Sequence, residues 1–318
     1  MAAISQRKLE KRIKKLEAEE CQYNQIKTPT NILFNILLAI LSLFCIIPFL
    51  FVIIISITDE NSLAMNGYRF IPEKISFYAY EYIISAGESI IKSYGVTILV
   101  TVLGTVLGLL LTGTYAYALS RKNYAFRKFF TTVITIPMLF SGGMIANYLI
   151  VTKVLMLKDT IWALILPLCL NSFNIIVLRT FFKTSIPDAV VESAKIDGAS
   201  EWRLFFQIVI PMALPGLATI GLFLTLSYWN DWFNAMMYID DQNLIPLQYL
   251  LIRIESSIDW LASNKAMMGV DGVQAAANMP KETIKMAIVV ISTLPIIFAY
   301  PFFQRYFVNG LTVGAVKE

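Results

Sequence analysis

Three ionisable residues, Asp188, Glu192 and Lys195, lie four and three positions apart in a polar stretch, residues 185–211, between two apolar stretches. This spacing places all three side chains on one face of a helix. Two carboxylates beside an ammonium group can form ion pairs and hydrogen bonds with another protein. Because the chain contains no histidine, the usual catalytic base is missing. The stretch therefore predicts a polar surface that a partner protein binds.

Two short helices joined by a glycine are predicted in this stretch. Ser185 and Asp188 stand three positions apart as in a capping box, with Pro187 in the first turn, where its missing N–H costs nothing. Gly198 is expected to end the first helix in the left-handed conformation, and Ser200 to begin the second. Four residues of the second helix share an apolar face suited to packing on membrane spans or lying at the membrane interface: Trp202, Phe205, Phe206 and Val209.

The order of residues in this stretch resembles the "EAA" coupling loop of ABC-importer permeases. It reads Glu192-Ser193-Ala194-Lys195-Ile196-Asp197-Gly198-Ala199, followed by Phe205 and Pro211. The similarity is to the carbohydrate-importer branch, the maltose-type permeases, and within it to the LplC/YtcP-like group; Ser193 stands where that family usually has alanine. In the family this helix docks into a cleft of a separate ATP-hydrolysing subunit and transmits its closure. The resemblance implies an ATPase-coupling role for Glu192, Ser193, Ala194, Asp197, Gly198 and Ala199. An ordinary interfacial helix pair between spans is the alternative.

The composition is that of a polytopic helical membrane protein, since hydrophobic residues make up 57% of the 318 positions and long apolar stretches recur. A net charge of +4, spread evenly among the loops, does not suggest nucleic-acid binding. In the second span, Gly104 and Gly108 form a G-x-x-x-G pattern that permits close helix approach. Six spans are predicted, at about residues 31–57, 91–119, 129–156, 160–182, 208–229 and 284–305.

The orientation of the chain follows from its lysines and arginines, which are concentrated in the segments that lie inside if the N-terminus is cytoplasmic. This places both termini and residues 185–211 in the cytoplasm of a bacterial cell, with the spans in its cytoplasmic membrane. The predicted organisation is a basic cytoplasmic tail, 1–30, a six-span permease domain, 31–305, and a cytoplasmic C-terminal tail, 306–318. The outer loops of the domain are residues 58–90 and 233–283.

Two further segments extend the resemblance across nearly the whole chain. Residues 66–72, Asn-Gly-Tyr-Arg-Phe-Ile-Pro, are similar to the NGY-x-x-x-P loop of the LplC-like permeases, and residues 304–317 are similar to the family's Q-x-x-F-V-x-G…G-A-V-K ending. The resemblance implies that the C-terminal tail also contacts the ATPase, through Gln304, Gly310 and Lys317. It further implies that the loop 233–283 reaches toward a sugar-binding protein.

Aromatic and polar residues alternate at the end of the fifth span, at Tyr228, Trp229, Asn230, Asp231 and Trp232. Aromatic faces beside amide and carboxylate groups suit a sugar, because the rings stack on its C–H face and the polar groups bind its hydroxyls. Carbohydrate-type permeases show a similar W-N-D cluster, while an aromatic belt at the outer membrane interface is the alternative. Weaker pathway candidates are polar groups at membrane depth that interhelical hydrogen bonds alone could satisfy: Asn147, Tyr148, Asn171 and Asn174.

The sequence as a whole predicts an all-α integral membrane protein with six transmembrane helices, similar to the permeases of ABC type I importers, with a cytoplasmic coupling helix. No G-x-x-x-x-G-K-[ST] motif occurs, so the chain is not expected to bind ATP or to be an enzyme, and no metal or cofactor is expected on it. ATP and Mg²⁺ are expected on a partner. The partners that the resemblance implies are two ATP-binding subunits, a second and non-identical permease, an extracytoplasmic solute-binding protein, a sugar substrate (an oligosaccharide) and membrane lipid.

Three other classes of function are alternatives for a membrane protein of this composition. A permease of an ABC importer for peptides or other solutes is the main alternative, because the coupling loop is shared more widely than the substrate. An ion-coupled carrier is disfavoured, since the six predicted spans contain neither an acidic residue nor a histidine. A membrane-embedded enzyme is disfavoured because the sequence has no nucleophile motif or paired carboxylates within the spans.

Overall fold

The computed structural model describes residues 28–85, 87–263 and 281–315. The chain divides into two compact units, Met1–Ile54 and Ile55–Glu318. The described residues are mainly helical, and their only strand-like pairing is an isolated bridge between Thr58 and Ile75. The prediction of an all-α protein is therefore confirmed for this part of the chain.

The helices follow one another with short connections. In chain order they are α1 (Thr28–Ser56), α2 (Glu60–Asn66), α3 (Tyr78–Ser85), α4 (Gly87–Ser120), α5 (Arg127–Leu139), α6 (Gly143–Leu149) continued by a π turn (Ile150–Val154), α7 (Ile161–Cys169), α8 (Ser172–Ser185), α9 (Asp188–Ile196), α10 (Glu201–Leu204) continued by a π turn (Phe205–Val209), α11 (Ile210–Met212), α12 (Leu214–Trp229), α13 (Phe233–Tyr238), a 3₁₀ turn (Gln242–Leu244), α14 (Leu247–Ser263) and α15 (Glu282–Ala315).

Three helices are long and apolar enough to cross a bilayer, namely α1, α4 and the part of α15 from Glu282 to Pro301. Two further stretches reach that length only as bent pairs. The pair α7 and α8 bends by 50°, and the stretch Glu201–Met212 meets α12 at 83°. The described residues thus contain between three and five candidate spans, by length and composition.

The predicted third and fifth spans are not continuous straight helices. The third, 129–156, is interrupted between α5 and α6, where Gly143 has a φ of 79°. The fifth, 208–229, breaks at Ala213, so that α12 is its only long straight part and the residues before Ala213 lie at a large angle to it. Pro215 explains this break, because it cannot donate the N–H that would continue the helix from the turn before it.

The helix α4 is the centre of the second unit, where it packs against α12, α8 and α7. Its Gly104 lies directly against the ring of Tyr228 in α12, and its Gly108 lies against Leu224. The Tyr228 hydroxyl donates a hydrogen bond of 2.8 Å to the carbonyl of Ile165 in α7. This tyrosine of α12 therefore contacts two other helices, α4 and α7, and the two glycines allow the close approach that the G-x-x-x-G pattern predicted.

A side chain from α2, in the segment 58–90, caps the start of α15. The Glu60 carboxylate accepts hydrogen bonds of 3.0 Å from the backbone N–H groups of Glu282 and Thr283, and one of 2.7 Å from the Thr283 hydroxyl. The first N–H groups of a helix have no partner within the helix and attract negative charge. Glu60 therefore fixes the position at which α15 begins.

Two aromatic side chains bind the backbone of α15 further along the helix. The indole N–H of Trp229 donates to the carbonyl of Ser292 at 3.0 Å, and the Tyr94 hydroxyl donates to the carbonyl of Ile291 at 2.9 Å. The rings of Tyr94 and Trp229 lie 6.4 Å apart. Residues from α4 and α12 thus hold α15 through its main chain as well as through apolar packing.

Candidate functional site

The segment of residues 185–211 folds as two helices around a glycine, as predicted. The first helix, α9, ends in a Schellman motif, in which the N–H of Ala199 donates to the carbonyl of Ala194 at 2.9 Å and that of Gly198 to Lys195 at 3.0 Å. Gly198 has a φ of 79°, which confirms its left-handed conformation. The Ser200 side chain then caps α10, also as predicted, by accepting from the N–H of Arg203 at 3.3 Å.

The start of α9 differs from the prediction. Pro187 is the N-cap residue, with a ψ of 136°, and no side chain caps the helix. The predicted capping box of Ser185 and Asp188 is wrong, because α8 continues through Ser185 and Asp188 is already helical. The Asp188 carboxylate instead accepts from the Lys122 ammonium group at 2.7 Å, and this bond and charge hold the pKa of Asp188 below its usual value.

The polar face of α9 is opposed to the end of α4 across a cavity of about 520 Å³. Asp188, Glu192 and Lys195 all line this cavity, which confirms that the three residues share one face. The end of α4 and the residues after it form the opposite wall. The lining residues on that side are Tyr117, Ala118, Arg121, Lys122, Asn123 and Tyr124.

A network of polar contacts joins the two sides of the cavity. Lys195 forms an ion pair of 2.6 Å with Glu201, and Glu201 accepts a hydrogen bond of 2.8 Å from the hydroxyl of Tyr117 in α4. The guanidinium of Arg121 lies over the Tyr117 ring, 4.6 Å from its centre. With the pair of Lys122 and Asp188, these contacts bind both helices of the segment to the end of α4.

Glu192, the third residue of the polar face, takes no part in this network of hydrogen bonds and ion pairs. Glu192 is exposed and forms no hydrogen bond or ion pair with any residue that the structure describes. Two apolar side chains near it are also exposed: Ile196 at the end of α9 is 85% exposed and Trp202 in α10 is 68% exposed. Trp202 stacks on Phe206, with ring centres 6.0 Å apart. A free carboxylate beside exposed apolar groups is a surface suited to another protein.

The predicted apolar face of the second helix divides into two parts. Phe205 and Val209 are buried in the helical core, while Trp202 and Phe206 point away from it. The π turn over Phe205–Val209 contributes to this division, because its wider turn displaces the following residues from a regular α-helical stripe. The predicted packing on other helices is therefore confirmed for Phe205 and Val209, whereas Trp202 and Phe206 are exposed.

Replacing Gly198 with alanine is expected to loosen α9. A residue with a side chain costs about 1–2 kcal/mol in the left-handed backbone conformation. Because a Cβ added at Gly198 has no neighbour within 4 Å, the substitution introduces backbone strain without a steric clash. Hydrogen exchange of the amides of residues 194–199 measures the effect. In the Gly198→Asn variant these amides should exchange more slowly than in the Gly198→Ala variant, because asparagine tolerates the left-handed conformation. Gly87→Ala is the control, since Gly87 also has open space and lacks a positive φ; equal exchange in all variants would contradict the expectation.

Comparison with known proteins identifies the family. Residues 104–313 match the family described as "Binding-protein-dependent transport system inner membrane component". The chain belongs to this family of ABC transport permeases. It is 40% identical over 291 residues to the polygalacturonan/rhamnogalacturonan transport system permease protein YtcP of Bacillus subtilis (strain 168), which covers 90% of this chain and 99% of YtcP.

Two further similarities agree with this assignment. The permease is 41% identical over 272 residues to Protein LplC of Bacillus subtilis (strain 168), covering 86% of this chain and 89% of LplC. It also resembles a chain in the crystal structure of a bacterial ABC transporter involved in the import of the acidic polysaccharide alginate. That similarity has a TM-score of 0.71 and 32% identity, and covers 87% of this chain and 96% of the other. Members of this family are transport subunits, so the permease is not an enzyme.

The two aromatic residues that begin the predicted pathway cluster lie between helices. Tyr228 and Trp229 are both buried, and their polar groups bind the carbonyls of Ile165 and Ser292. Trp229 also lines an apolar cavity of about 200 Å³ between α4, α12 and α15. The arrangement gives both residues a packing function in this permease, and it directs their hydrogen-bond donors toward main chain.

The next three residues of that cluster are more accessible. Asn230 is exposed and donates from its side-chain amide to the carbonyl of Leu226 at 2.9 Å. The Asp231 carboxylate accepts from the backbone N–H of Asn234 at 3.1 Å and from its side-chain amide at 2.9 Å. Burial raises the pKa of Asp231 above its usual value. Trp232 is partly exposed and packs edge-on against Phe233.

A second cavity of about 520 Å³ lies between α6, α7 and α13. Asn147 lines it together with Asn234, Phe233 and Tyr238, and Tyr148 stacks on Tyr238 with ring centres 6.2 Å apart. The other lining residues are apolar, so the two amides and two aromatic rings are the groups in this cavity that could contact a sugar. Sequence analysis did not select Phe233 and Asn234, although they continue the aromatic and amide pattern directly after Trp232.

The remaining pathway candidates lie at the bend between α7 and α8. The Asn171 side chain caps α8 by accepting from the backbone N–H groups of Phe173 at 2.9 Å and Asn174 at 3.3 Å. Asn174 is itself buried. Asn171 therefore has a local structural function at the 50° bend, and an asparagine that directly precedes a helix is a recognisable sequence signal for it.

The predicted ATPase contacts at the C-terminus are only partly described. Gln304 is exposed on α15, and Gly310 lies within the same helix. Lys317 lies outside the described residues, as do residues 1–27 of the predicted N-terminal tail and 264–280 of the outer loop. Within the described part of the chain, no group of acidic or cysteine side chains is arranged to hold a metal ion.

Proposed function

We propose that the permease forms half of the translocation pathway of an ATP-driven carbohydrate importer and couples it to a separate ATPase through the Glu192–Gly198 helix. The observation that carries the proposal is the asymmetry of that helix. At its start, Asp188 is bonded to Lys122, just beyond the end of α4, whereas one turn further along the same face Glu192 is exposed and has no hydrogen bond or ion pair among the described residues. A coupling element needs both features, because it must bind a moving partner and pass the movement on.

The mechanism follows from the contacts of α4. When the ATPase closes, α9 is displaced, and the ion pair of Lys122 with Asp188 carries the displacement to the end of α4. Since α4 packs on α7, α8 and α12, these helices tilt together and expose the pathway to one side of the membrane at a time. Energy enters from the partner, which holds ATP and Mg²⁺.

The proposed membrane arrangement has six spans, with both termini and residues 185–211 in the cytoplasm of a bacterial cell. The candidate spans and the two bent pairs supply five of these crossings, and the interrupted stretch of α5 and α6 would supply the sixth. Six spans form half of a pathway, so the complete importer would contain a second and non-identical permease, two ATP-binding subunits and an extracytoplasmic solute-binding protein. The predicted ATPase contacts of Gln304, Gly310 and Lys317 belong to the same proposal.

The proposed substrate is an oligosaccharide. The names of two similar proteins support this class, because one refers to polygalacturonan and rhamnogalacturonan and the other to alginate. Within the permease, the cavity of Asn147, Phe233, Asn234 and Tyr238 offers amides and aromatic faces to such a ligand. We assign it as the first candidate contact, and Asn230, Asp231 and Trp232, which directly precede Phe233 and Asn234 in the sequence, as the next candidates.

Co-purification and reconstituted uptake test the proposal together. A tagged permease extracted gently from its native membrane should carry an ATPase with a Walker motif and a second permease. The purified complex, in vesicles with its binding protein, should then take up labelled oligosaccharides only with ATP. Oligogalacturonides, neutral oligosaccharides and peptides are compared directly. Isolation without an ATPase, or uptake that persists without ATP and collapses with an ionophore, would instead indicate a carrier; ATP-driven uptake of peptides alone would refute the carbohydrate assignment.

Reversing the charge of Lys122 is expected to reduce uptake per ATP hydrolysed by severalfold. The Lys122→Asp variant faces Asp188 with a like charge and repels α9 from the end of α4. The double variant Lys122→Asp with Asp188→Lys restores the opposite charges and should recover most of the coupling. Both groups are largely exposed, so the pair contributes little to stability, and melting temperatures should remain similar. Failure of the double variant to recover coupling would show that the pair does not transmit the movement.

A further inference from the structure

We propose that Arg127, Arg179 and Lys183 form a binding site for the phosphate headgroup of an anionic phospholipid. Arg127 is the first residue of α5, and the other two lie one turn apart near the end of α8. The helices α5 and α8 pack against each other. The positive charge of Arg127 acts on both Arg179 and Lys183, so the three cations are gathered at one place between the two helices.

These three cations have no anionic partner among the described residues, whereas several other basic residues of the permease do. Lys122 and Lys195 each form an ion pair shorter than 3 Å. Over the described ranges, by contrast, none of the three has a side-chain hydrogen bond or an ion pair, and the Nε of Arg179 is buried without an acceptor. Arg127 and Arg179 are both half-buried. Like charges removed from water without a counter-charge are costly, and an anion bound among them relieves the cost.

The surroundings of the cluster favour a lipid as the source of that anion. Phe126 and Phe129, on either side of Arg127 in the sequence, are 63% and 62% exposed. Val133 and Ile136 continue an exposed apolar stripe from Phe129 along α5 at helical spacing. Exposed aromatic rings beside cations, at the end of an apolar stripe, are the pattern of a membrane interface, and basic pockets between helices at that level bind phosphate headgroups. The planar guanidinium groups also match phosphate oxygens in pairs.

The position of the cluster sets the leaflet. The helix α8 ends at Ser185 and leads through Pro187 directly into α9, so the cluster lies at the same end of the helices as the 185–211 segment. An anionic lipid bound here would be drawn from the leaflet that faces this segment. This inference depends on the charges and packing of α5 and α8 and is independent of the transported substrate.

Lipid binding is measured on the assembled, full-length complex in vesicles of phosphatidylcholine with a photoreactive phosphatidylglycerol. Labelling of this permease should be stronger with the photoreactive phosphatidylglycerol than with photoreactive phosphatidylcholine. The Arg127→Gln, Arg179→Gln and Lys183→Gln variants should each reduce labelling about fivefold, the change equivalent to about 1 kcal/mol per basic residue at an anionic surface. Lys128→Gln is the matched control, because Lys128 is exposed and next to Arg127 but outside the cluster; it should label as the wild type does.

Two results would overturn the proposal. Unchanged phosphatidylglycerol labelling in the three cluster variants would show that the cations do not bind lipid. Variants that label normally but lose binding of an acidic oligosaccharide, or lose a contact with the second permease, would assign the cluster to that ligand instead. If a glutamine variant fails to assemble, two tests remain. The Arg179→Lys variant keeps the positive charge and should still prefer phosphatidylglycerol. In the wild type, this preference should fall as the salt concentration is raised. A preference that is absent or insensitive to salt contradicts the site.

Discussion

Replacing Glu192 with alanine should lower ATP-driven uptake by about tenfold or more, the effect expected for truncating a charged group that is buried at an interface with a partner. The thermal stability of the complex should stay the same. Glu192 is exposed and makes no hydrogen bond or ion pair in the described part of the chain, so its removal costs the permease no internal contact. The ion pairs of Asp188 and Lys195 do not involve Glu192 and remain in the variant. Uptake and ATP hydrolysis are measured together in reconstituted vesicles, where hydrolysis should continue or decline less than uptake.

The matched control for this experiment lies on the same helix. Ser193 is also exposed, and its replacement by alanine, the residue usual in the resembling family, should leave uptake unchanged. If Glu192→Ala transports as well as Ser193→Ala, the exposed carboxylate has no coupling role. A lowered melting temperature in Glu192→Ala alone would mean that the side chain supports the fold instead.

Replacing Gly104 with alanine is the second change expected to have a large effect, in this case on folding. The added methyl group would overlap the ring of Tyr228. The ring must move, and it then loses its hydrogen bond to Ile165 and its place between α4, α7 and α12. Overpacking of this kind costs about 1–3 kcal/mol, so the variant should melt at a lower temperature and accumulate to lower levels in the membrane.

Gly95 provides the control for that substitution, since it lies in the same helix and a Cβ there would meet no atom within 4 Å. Gly95→Ala should therefore match or slightly exceed the wild type in stability, because alanine favours the helix more than glycine does. Melting of detergent-purified complex, followed by fluorescence-detected gel filtration, separates the two variants. Equal melting of both would show that Tyr228 is not held where the structure places it.

The parts of this fold that could be predicted are those encoded by local pattern. Long apolar stretches predicted α1, α4 and α15, because crossing a bilayer requires about 20 apolar residues in sequence. The end of α9 was predictable because only a residue tolerant of left-handed backbone, Gly198, followed the helical pattern. The break at Ala213 was not, since a proline in an apolar stretch either begins a helix or bends one, and the sequence does not distinguish these cases.

For the candidate site, only the α9 side of the cavity could be predicted from the sequence. The face of Asp188, Glu192 and Lys195 follows from helical spacing, whereas the groups opposite it come from the end of α4, far away in the sequence. Nothing local indicates that Lys122 pairs with Asp188, 66 positions later. The same limit applies to Tyr228: a tyrosine near a membrane interface can stack on a ligand or bind a carbonyl of a neighbouring helix, and only the packing of α4 and α7 decides between them.

The hydrogen bond from Tyr94 to Ile291 bears on how the permease can move. Pro295 lies four residues after Ile291 and has no N–H to offer, so the Ile291 carbonyl lacks its helical donor. In hydrocarbon no water can replace that donor, and the Tyr94 hydroxyl, at 2.9 Å, supplies it. The turn of α15 that precedes Pro295 is thus bonded to α4, and separating the two helices would leave the Ile291 carbonyl without a hydrogen-bond donor. The helices α4 and α15 are therefore expected to move as one unit during transport, with bending concentrated at the helix breaks elsewhere, such as those at Ala213 and after Leu139.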